Sequence, residues 1–364
     1  MLNKLIEPYN YYDDNHFALE IEKIFKEKWL FSCLLYEVQN KNDYFVLDIG
    51  INSVIIYNNG KEILAFQNLC PHRFNRIFIN NKGNSVLKCQ FHSWSFDKCG
   101  VIKNKNIAET DELRKKYSLK QYPIEIIGQF IFFNFNEKPI LTFKEQIQGI
   151  EEDLLIISGI LSSKIHEENN IHKVNWKFIC ENVVDKTHCL SLHKDTLVKI
   201  GYCIEMEEDL FQDENSSKIT LPPVINEARI KRDRFLNKYL PRKLQNNNYQ
   251  HLLHFPNLTI GIYEGLNITI GNILPLKSSK TNYRLIYYNS KIEKLNDTSI
   301  NLLNAMSDEV VNFGSKVFDE DKVILEQVQK GVREANHSGY VYDNELRIKW
   351  FYEVYNKIIN NGKF

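Results

Sequence analysis

Cys70-Pro71-His72 and Cys89-Gln90-Phe91-His92 are two short stretches separated by sixteen residues, and each offers one thiolate and one imidazole. A zinc finger usually groups its two cysteines in one knuckle and its two histidines in the other. Here each loop carries one of each, as needed when two loops clasp a two-iron cluster whose irons are unlike. Cys70 and Cys89 then hold one iron, and His72 and His92 the other. Replacing two thiolates by neutral imidazoles removes negative charge and raises the reduction potential. Zinc is the competing occupant for the same four residues.

The mixed ligand set is that of a Rieske [2Fe–2S] centre, and its surroundings agree. Tyr44-Phe45-Val46-Leu47, Val54-Ile55-Ile56-Tyr57, Ile63-Leu64-Ala65-Phe66 and Phe130-Ile131-Phe132-Phe133-Asn134-Phe135 are short apolar runs bounded by turn residues. They predict a small antiparallel β-domain presenting two loops at one end. At this point the chain resembles the Rieske domain of the ring-hydroxylating oxygenases, with its C-P-H-R-G and C-x-x-H-G-W motifs. Phe74 and Ser93 stand where that family commonly has glycine, and the four ligands stay in place.

Composition sets wider bounds. A chain of 364 residues is long enough for two domains with sizeable cores. Lys plus Arg equals Asp plus Glu at 46 each, so no net field recruits nucleic acid or an anionic membrane. No apolar run approaches the roughly 20 residues of a membrane span, and the N-terminus lacks the apolar core of a secretion signal. Of seven cysteines, the five outside the cluster motif show no disulfide framework, so the expected location is cytoplasmic.

A second constellation is Asn175-Trp176-Lys177-Phe178-Ile179-Cys180-Glu181-Asn182-Val183-Val184-Asp185-Lys186-Thr187-His188-Cys189-Leu190-Ser191-Leu192-His193. Its apolar positions recur at helical spacing, so Asp185 and His188 are expected on one helical face. His193 is turned about 140° from His188 on a straight helix. Both can reach one metal only if the helix ends or bends between them.

This segment resembles the same family's pattern E-N-x-x-D-x-x-H-x-x-x-x-H through Glu181, Asn182, Asp185, His188 and His193. The family completes a 2-His-1-carboxylate triad with an acid from a later helix. Phe318 to Gly331 resembles its E-D-x-x-x-x-E-x-x-Q-x-G motif, which places the third ligand at Asp321, with Asp319 and Glu320 as neighbouring alternatives. The bland reading of these acids is a helix N-terminus favouring negative charge. The resemblance further implies one Rieske cluster and one mononuclear Fe(II) per subunit. It also implies a homotrimer in which Asp185 links His188 to a cluster histidine, His92, of the neighbouring subunit.

No G-x-G-x-x-G follows a strand and no C-x₄-C-x₂-C run occurs. The expected partners are therefore a separate NAD(P)H-dependent reductase, with or without a ferredoxin, together with O₂ and a small organic substrate. The basic stretch from Arg229 to Lys243 reads as a solvated face, with donor docking as the alternative. Tyr202, Phe211, Tyr249, Tyr263 and Tyr288 are candidates for an aromatic pocket or a cation cage.

The resemblance covers essentially the whole chain. The expected fold is α+β, with an N-terminal helical segment at 1–38 packing with the catalytic domain. A Rieske antiparallel β-domain follows at 39–140, then a helix-grip (START-like) catalytic mononuclear-iron domain at 141–364. The implied activity is that of a terminal oxygenase, hydroxylating an aromatic ring compound as mono- or dioxygenase. Monooxygenation or N-demethylation of a quaternary ammonium or methylated amine is the second reading. A Rieske electron carrier without oxygenase activity is the third.

Overall fold

The computed structural model describes residues 6–103, 107, 109–199, 209–222, 227–241, 244 and 248–360. They form two compact units: the described residues of Met1–Glu20 with Ile156–Phe364, and Ile21–Leu155. The expected boundaries after 38 and after 140 thus fall elsewhere. After helix α1 (Asp14–Glu20) and a π-helical turn at Ile21–Phe25, strand β1 (Leu30–Leu34) belongs to the second unit.

That unit contains β2 (Asp43–Ile49), β3 (Asn52–Asn58), β4 (Ile63–Gln67), β5 (Lys82–Asn84), β6 (Gln121–Tyr122), β7 (Ile124–Ile127) and β8 (Phe130–Phe133). A five-stranded antiparallel sheet runs β5-β2-β3-β4-β6, and a three-stranded one runs β1-β8-β7. Helices α2 (Asp111–Lys116), α3 (Phe143–Ile147) and the first half of α4 (Glu151–Ile160) complete it. The expected strands appear within a residue or two of their sequence limits. Burial of β-branched and aromatic residues on paired strands gives this small unit its core, which includes Val46, Ile55, Tyr57, Phe66, Cys70 and Cys89.

The other unit is built on a seven-stranded antiparallel sheet in the order β10-β11-β12-β13-β14-β15-β9. The strands are β9 (Leu161–His172), β10 (Asp209–Gln212), β11 (Ser216–Leu221), β12 (Tyr249–His254), β13 (Leu258–Tyr263), β14 (Asn267–Lys277) and β15 (Lys280–Ser290). Its helices are α5 (Trp176–Val184), α6 (Cys189–Leu192), α7 (Glu227–Tyr239), α8 (Asp297–Gly331) and α9 (Leu346–Ile359). Glycine lets α8 and the sheet come close: a Cβ on Gly314 would stand 2.7 Å from the Tyr287 hydroxyl.

Buried charge fastens α1 to this unit. Lys177, fully buried on α5, donates to Glu20 and to the Asn10 carbonyl, while Trp176 Nε1 and the Tyr355 hydroxyl also donate to Glu20. Asn175 caps α5 through Oδ1, which accepts from the Lys177 N–H.

The sequence reading carries Asp185 and His188 on one helix; the helix in fact stops at Val184. Asp185 has extended backbone, and its Oδ1 accepts from both the N–H and the hydroxyl of Thr187. That local competition for backbone donors ends α5. Asp321 likewise does not start a helix: it lies in the last third of the 35-residue α8. Cys189 is disulfide-bonded, which departs from the expectation of no disulfide framework; Cys33, Cys70, Cys89, Cys99 and Cys180 are free. No helix among the described residues is long and apolar enough to cross a membrane.

Candidate metal centres and substrate cavity

The two opening loops converge. Cys70 and Cys89 are 1% and 2% exposed, whereas His72 is half-buried and His92 exposed, with ring centroids 4.7 Å apart. Trp94 stacks on His72 at 4.6 Å and 7°, covering one face of the imidazole. Each loop is pinned by its own backbone: Cys70 N–H donates to Asn75 O, Phe74 N–H to Cys70 O, and Cys89 N–H to Trp94 O.

Burial opposes ionisation at both thiols. At Cys89 it is outweighed by N–H groups of Phe91 and His92 and by neighbouring Cys70 and Asn75, which pull the pKa below the ordinary thiol value. At Cys70 burial and the adjacent Cys89 push it up to about 11. Two unbonded, adjacent, buried sulfurs with N–H donors aimed at them and two imidazoles beside them fit a two-iron cluster.

The second site lies in the other unit. One ligand atom each from His188, His193 and Asp321 falls within 4.8 Å of the others. His193 Nε2 is 3.1 Å and His188 Nε2 3.6 Å from Asp321 Oδ1. Yet Asp321 Oδ1, fully buried, has no hydrogen-bond partner. Atoms this close without a hydrogen bond between them point at a common place rather than at each other, which is the arrangement a metal ion requires. Two nitrogens and one carboxylate suit a non-haem iron with open positions.

The remaining imidazole nitrogens face carboxylates. Glu320 Oε2 accepts from His193 Nδ1 at 2.7 Å and from the Thr196 hydroxyl at 2.7 Å. Asp185 Oδ2 lies 3.1 Å from His188 Nδ1. Burial works against the Asp185 carboxylate, but His188 and Thr187 hold its pKa below the usual value. Such partners fix which nitrogen is left for the metal and stiffen the ring. Glu320, read from sequence as an alternative ligand, therefore orients His193, and Asp319 turns outward. The adjacent-acid pattern at 319–321 held the clue, since only one residue of a helical run of three can face a given point.

The triad opens on a cavity of about 910 Å³ between the sheet, α7 and α8. Strand pairing places Ile219, His251, Gly261, Thr269 and Tyr287 in one row across β11, β12, β13, β14 and β15, and all five line the cavity. Tyr249 and Tyr263 form a neighbouring pair, ring centroids 5.1 Å apart. Of the expected aromatic candidates, these two line the cavity, Phe211 and Tyr288 do not, and Tyr202 lies outside the described residues. Tyr283 and Tyr287 line it unannounced by any motif. Arg232 of the basic stretch pairs with Glu264 at 2.7 Å, while Arg242 and Lys243 lie outside the described residues.

With this geometry in hand, residues 162–361 match the family model described as ring-hydroxylating α-subunit, catalytic domain, and residues 28–123 match the Rieske [2Fe–2S] domain. Among curated proteins, the glycine betaine monooxygenase oxygenase subunit of Chromohalobacter salexigens is 28% identical over 54% of this chain and 44% of that protein. The first curated relatives are thus matched over less than half their length. The chloroplastic choline monooxygenase of Beta vulgaris is 26% identical over 96% of this chain and 76% of its own. The fold is that of a quaternary ammonium Rieske monooxygenase, CntA, solved with an inhibitor: TM-score 0.78 at 17% identity, covering 99% and 95% of the two chains.

Proposed function

Because the chain belongs to the family of ring-hydroxylating oxygenase α-subunits, we propose that it is a terminal oxygenase whose substrate is a quaternary ammonium or N-methylated amine. The convergence of His188, His193 and Asp321 on one point at the mouth of a large cavity carries the oxygenase half of this reading. The substrate half rests on relatives named for glycine betaine, choline and carnitine, and on the Tyr249–Tyr263 pair, whose faces suit an ammonium. It departs from the aromatic substrate that the sequence favoured first.

In this reading Cys70, His72, Cys89 and His92 hold the [2Fe–2S] cluster, and His188, His193 and Asp321 hold Fe(II). When bound, that iron supplies O₂ activation with electrons delivered singly through the cluster. The protein's share is positional. Glu320 and Asp185 keep Nε2 of both histidines turned inward, and the apolar wall excludes bulk water. Asp185, from a homotrimer neighbour's viewpoint, joins His188 to His92 of the partner subunit, and the electrons come from a separate reductase. A cytoplasmic setting completes the reading.

The test is substrate-dependent O₂ uptake by the purified protein with a surrogate reductase, screened over methylated amines and aromatic acids. His188→Ala should take the iron content from about three per chain to about two, keep the cluster's visible spectrum and abolish uptake. An unchanged iron count would instead favour an electron carrier.

A further inference from the structure

One wall of the cavity carries a buried positive group that the iron site does not use. Arg347, in the first turn of α9, is 6% exposed and lines the cavity. Its Nε donates to Ser217 Oγ and its Nη2 to Ser217 O, both at 2.8 Å, so β11 fixes the guanidinium in place. Nη2 also lies 3.2 Å from His251 Nδ1.

That contact settles the state of His251. A guanidinium can only donate, so Nδ1 must accept, and the ring's single proton sits on Nε2. Burial, reinforced by the Arg347 charge, drives the pKa of His251 well below its ordinary value and keeps the ring neutral. Among the described residues no carboxylate acts on this imidazole to offset Arg347, and none accepts from Nε2. His251 is 9% exposed and lines the cavity between Ile219 and Gly261 of the cross-strand row. It faces the cavity of about 910 Å³, while Thr269 fills the space beside Gly261, where a Cβ would come 2.6 Å from Thr269 Oγ1. Two donors, one of them cationic, thus meet in an apolar wall with space before them, where an anion is favoured over water.

We propose that Arg347 and His251 form a carboxylate-binding subsite, and that the enzyme selects N-methylated substrates bearing a carboxylate, the betaines, over neutral-tailed ones such as choline. This deepens the reading of the cavity as a quaternary ammonium site and rests on it for the cationic end alone. Arg347 supplies charge and His251 a directed N–H; both set specificity, and neither is a catalytic residue.

The experiment uses the holoenzyme with a surrogate reductase and two matched pairs: glycine betaine with choline, and benzoate with benzyl alcohol. Titration calorimetry gives affinities alongside KM and kcat. In the wild type, an acid should bind at least about tenfold more tightly than its alcohol. Arg347→Gln should raise the acid-to-alcohol ratio of KM at least about tenfold, mostly through the acid's KM. Arg347→Lys should recover part of it, and His251→Phe should move the ratio the same way by less. Melting curves and iron content identify any variant that fails to fold, and His251→Phe then carries the test alone. Equal losses for acid and alcohol, or a wild type indifferent to the carboxylate, would overturn the subsite. Arg347-dependent benzoate binding with no binding of either choline or betaine would leave it standing and remove the quaternary ammonium reading.

Discussion

Phe74 and Ser93 sit at φ of 63° and 60°, in the left-handed region where a Cβ is unwelcome. Each follows a cluster loop's histidine, Phe74 by two residues and Ser93 by one. The loops keep the glycine conformation without the glycine, because hydrogen bonds on both sides hold the backbone: Phe74 N–H to Cys70 O, and Cys89 N–H to Trp94 O. The missing glycines, visible in the sequence as departures from the motif, are therefore strain rather than a change of shape. Ser93→Gly should stabilise the folded chain by about 0.5–1 kcal/mol, read as a higher urea midpoint with the cluster's visible spectrum unchanged. A loss of stability there would show that the serine side chain contributes more than its backbone costs. The candidate ligands were legible because each chemistry demands particular atoms. Glu320 was not, since its role depends on which face of α8 meets His193.

At the scale of elements, α5 shows how a helix can be read correctly and ended wrongly. The apolar spacing of Trp176, Phe178, Ile179, Val183 and Val184 reports burial against the sheet, but says nothing of Thr187, whose N–H and hydroxyl capture Asp185. Strand β9 was missed for another reason. Its sequence, Leu161-Ser162-Ser163-Lys164-Ile165-His166-Glu167-Glu168-Asn169-Asn170-Ile171-His172, is polar because it is an edge strand with exposed positions along its length. Helix α8 was seen only from Phe318 onward, its earlier turns alternating exposed positions with half-buried ones such as Leu302, Met306, Val310 and Phe313 that line the cavity. The joint between α5 and α1 is the element contact with most at stake. Lys177→Met leaves Glu20 buried without its lysine counter-charge, held only by neutral donors such as Trp176 and Tyr355, and should cost about 3–5 kcal/mol in chemical unfolding. Adding Glu20→Gln should return part of that loss; no recovery would mean the lysine acts through packing alone.

Across the whole molecule, the two-unit plan was legible from its two motif clusters, while the exact division was not. Composition does not change where Glu20 ends one unit and Ile21 begins the other. Ionisation shows how the larger unit responds as a body. Burial raises the pKa of Glu181 to about 7, although the Tyr11 hydroxyl donates to it at 2.6 Å. A raised carboxylate is protonated in the fold at pH values where the unfolded chain is already ionised. Stability is thus lost as pH climbs from about 4.5 to about 7, by up to about 3 kcal/mol, and is level above. Glu181→Gln keeps an acceptor for Tyr11 and removes that loss. Its melting temperature relative to the parent should rise between pH 5 and pH 8; a constant difference would place the titration elsewhere.

The grip of Lys177, Trp176 and Tyr355 on Glu20 also has a temporal side. A ribosome makes Glu20 early and Tyr355 late, with the whole of Ile21–Leu155 between them. The intervening unit is contiguous and can close while synthesis continues. The larger one is discontinuous, and its first helix must wait, with its acidic side chain in water, until α9 has emerged. Newly made chains should therefore close the unit that carries Cys70, His72, Cys89 and His92 before the site at His188, His193 and Asp321 can exist.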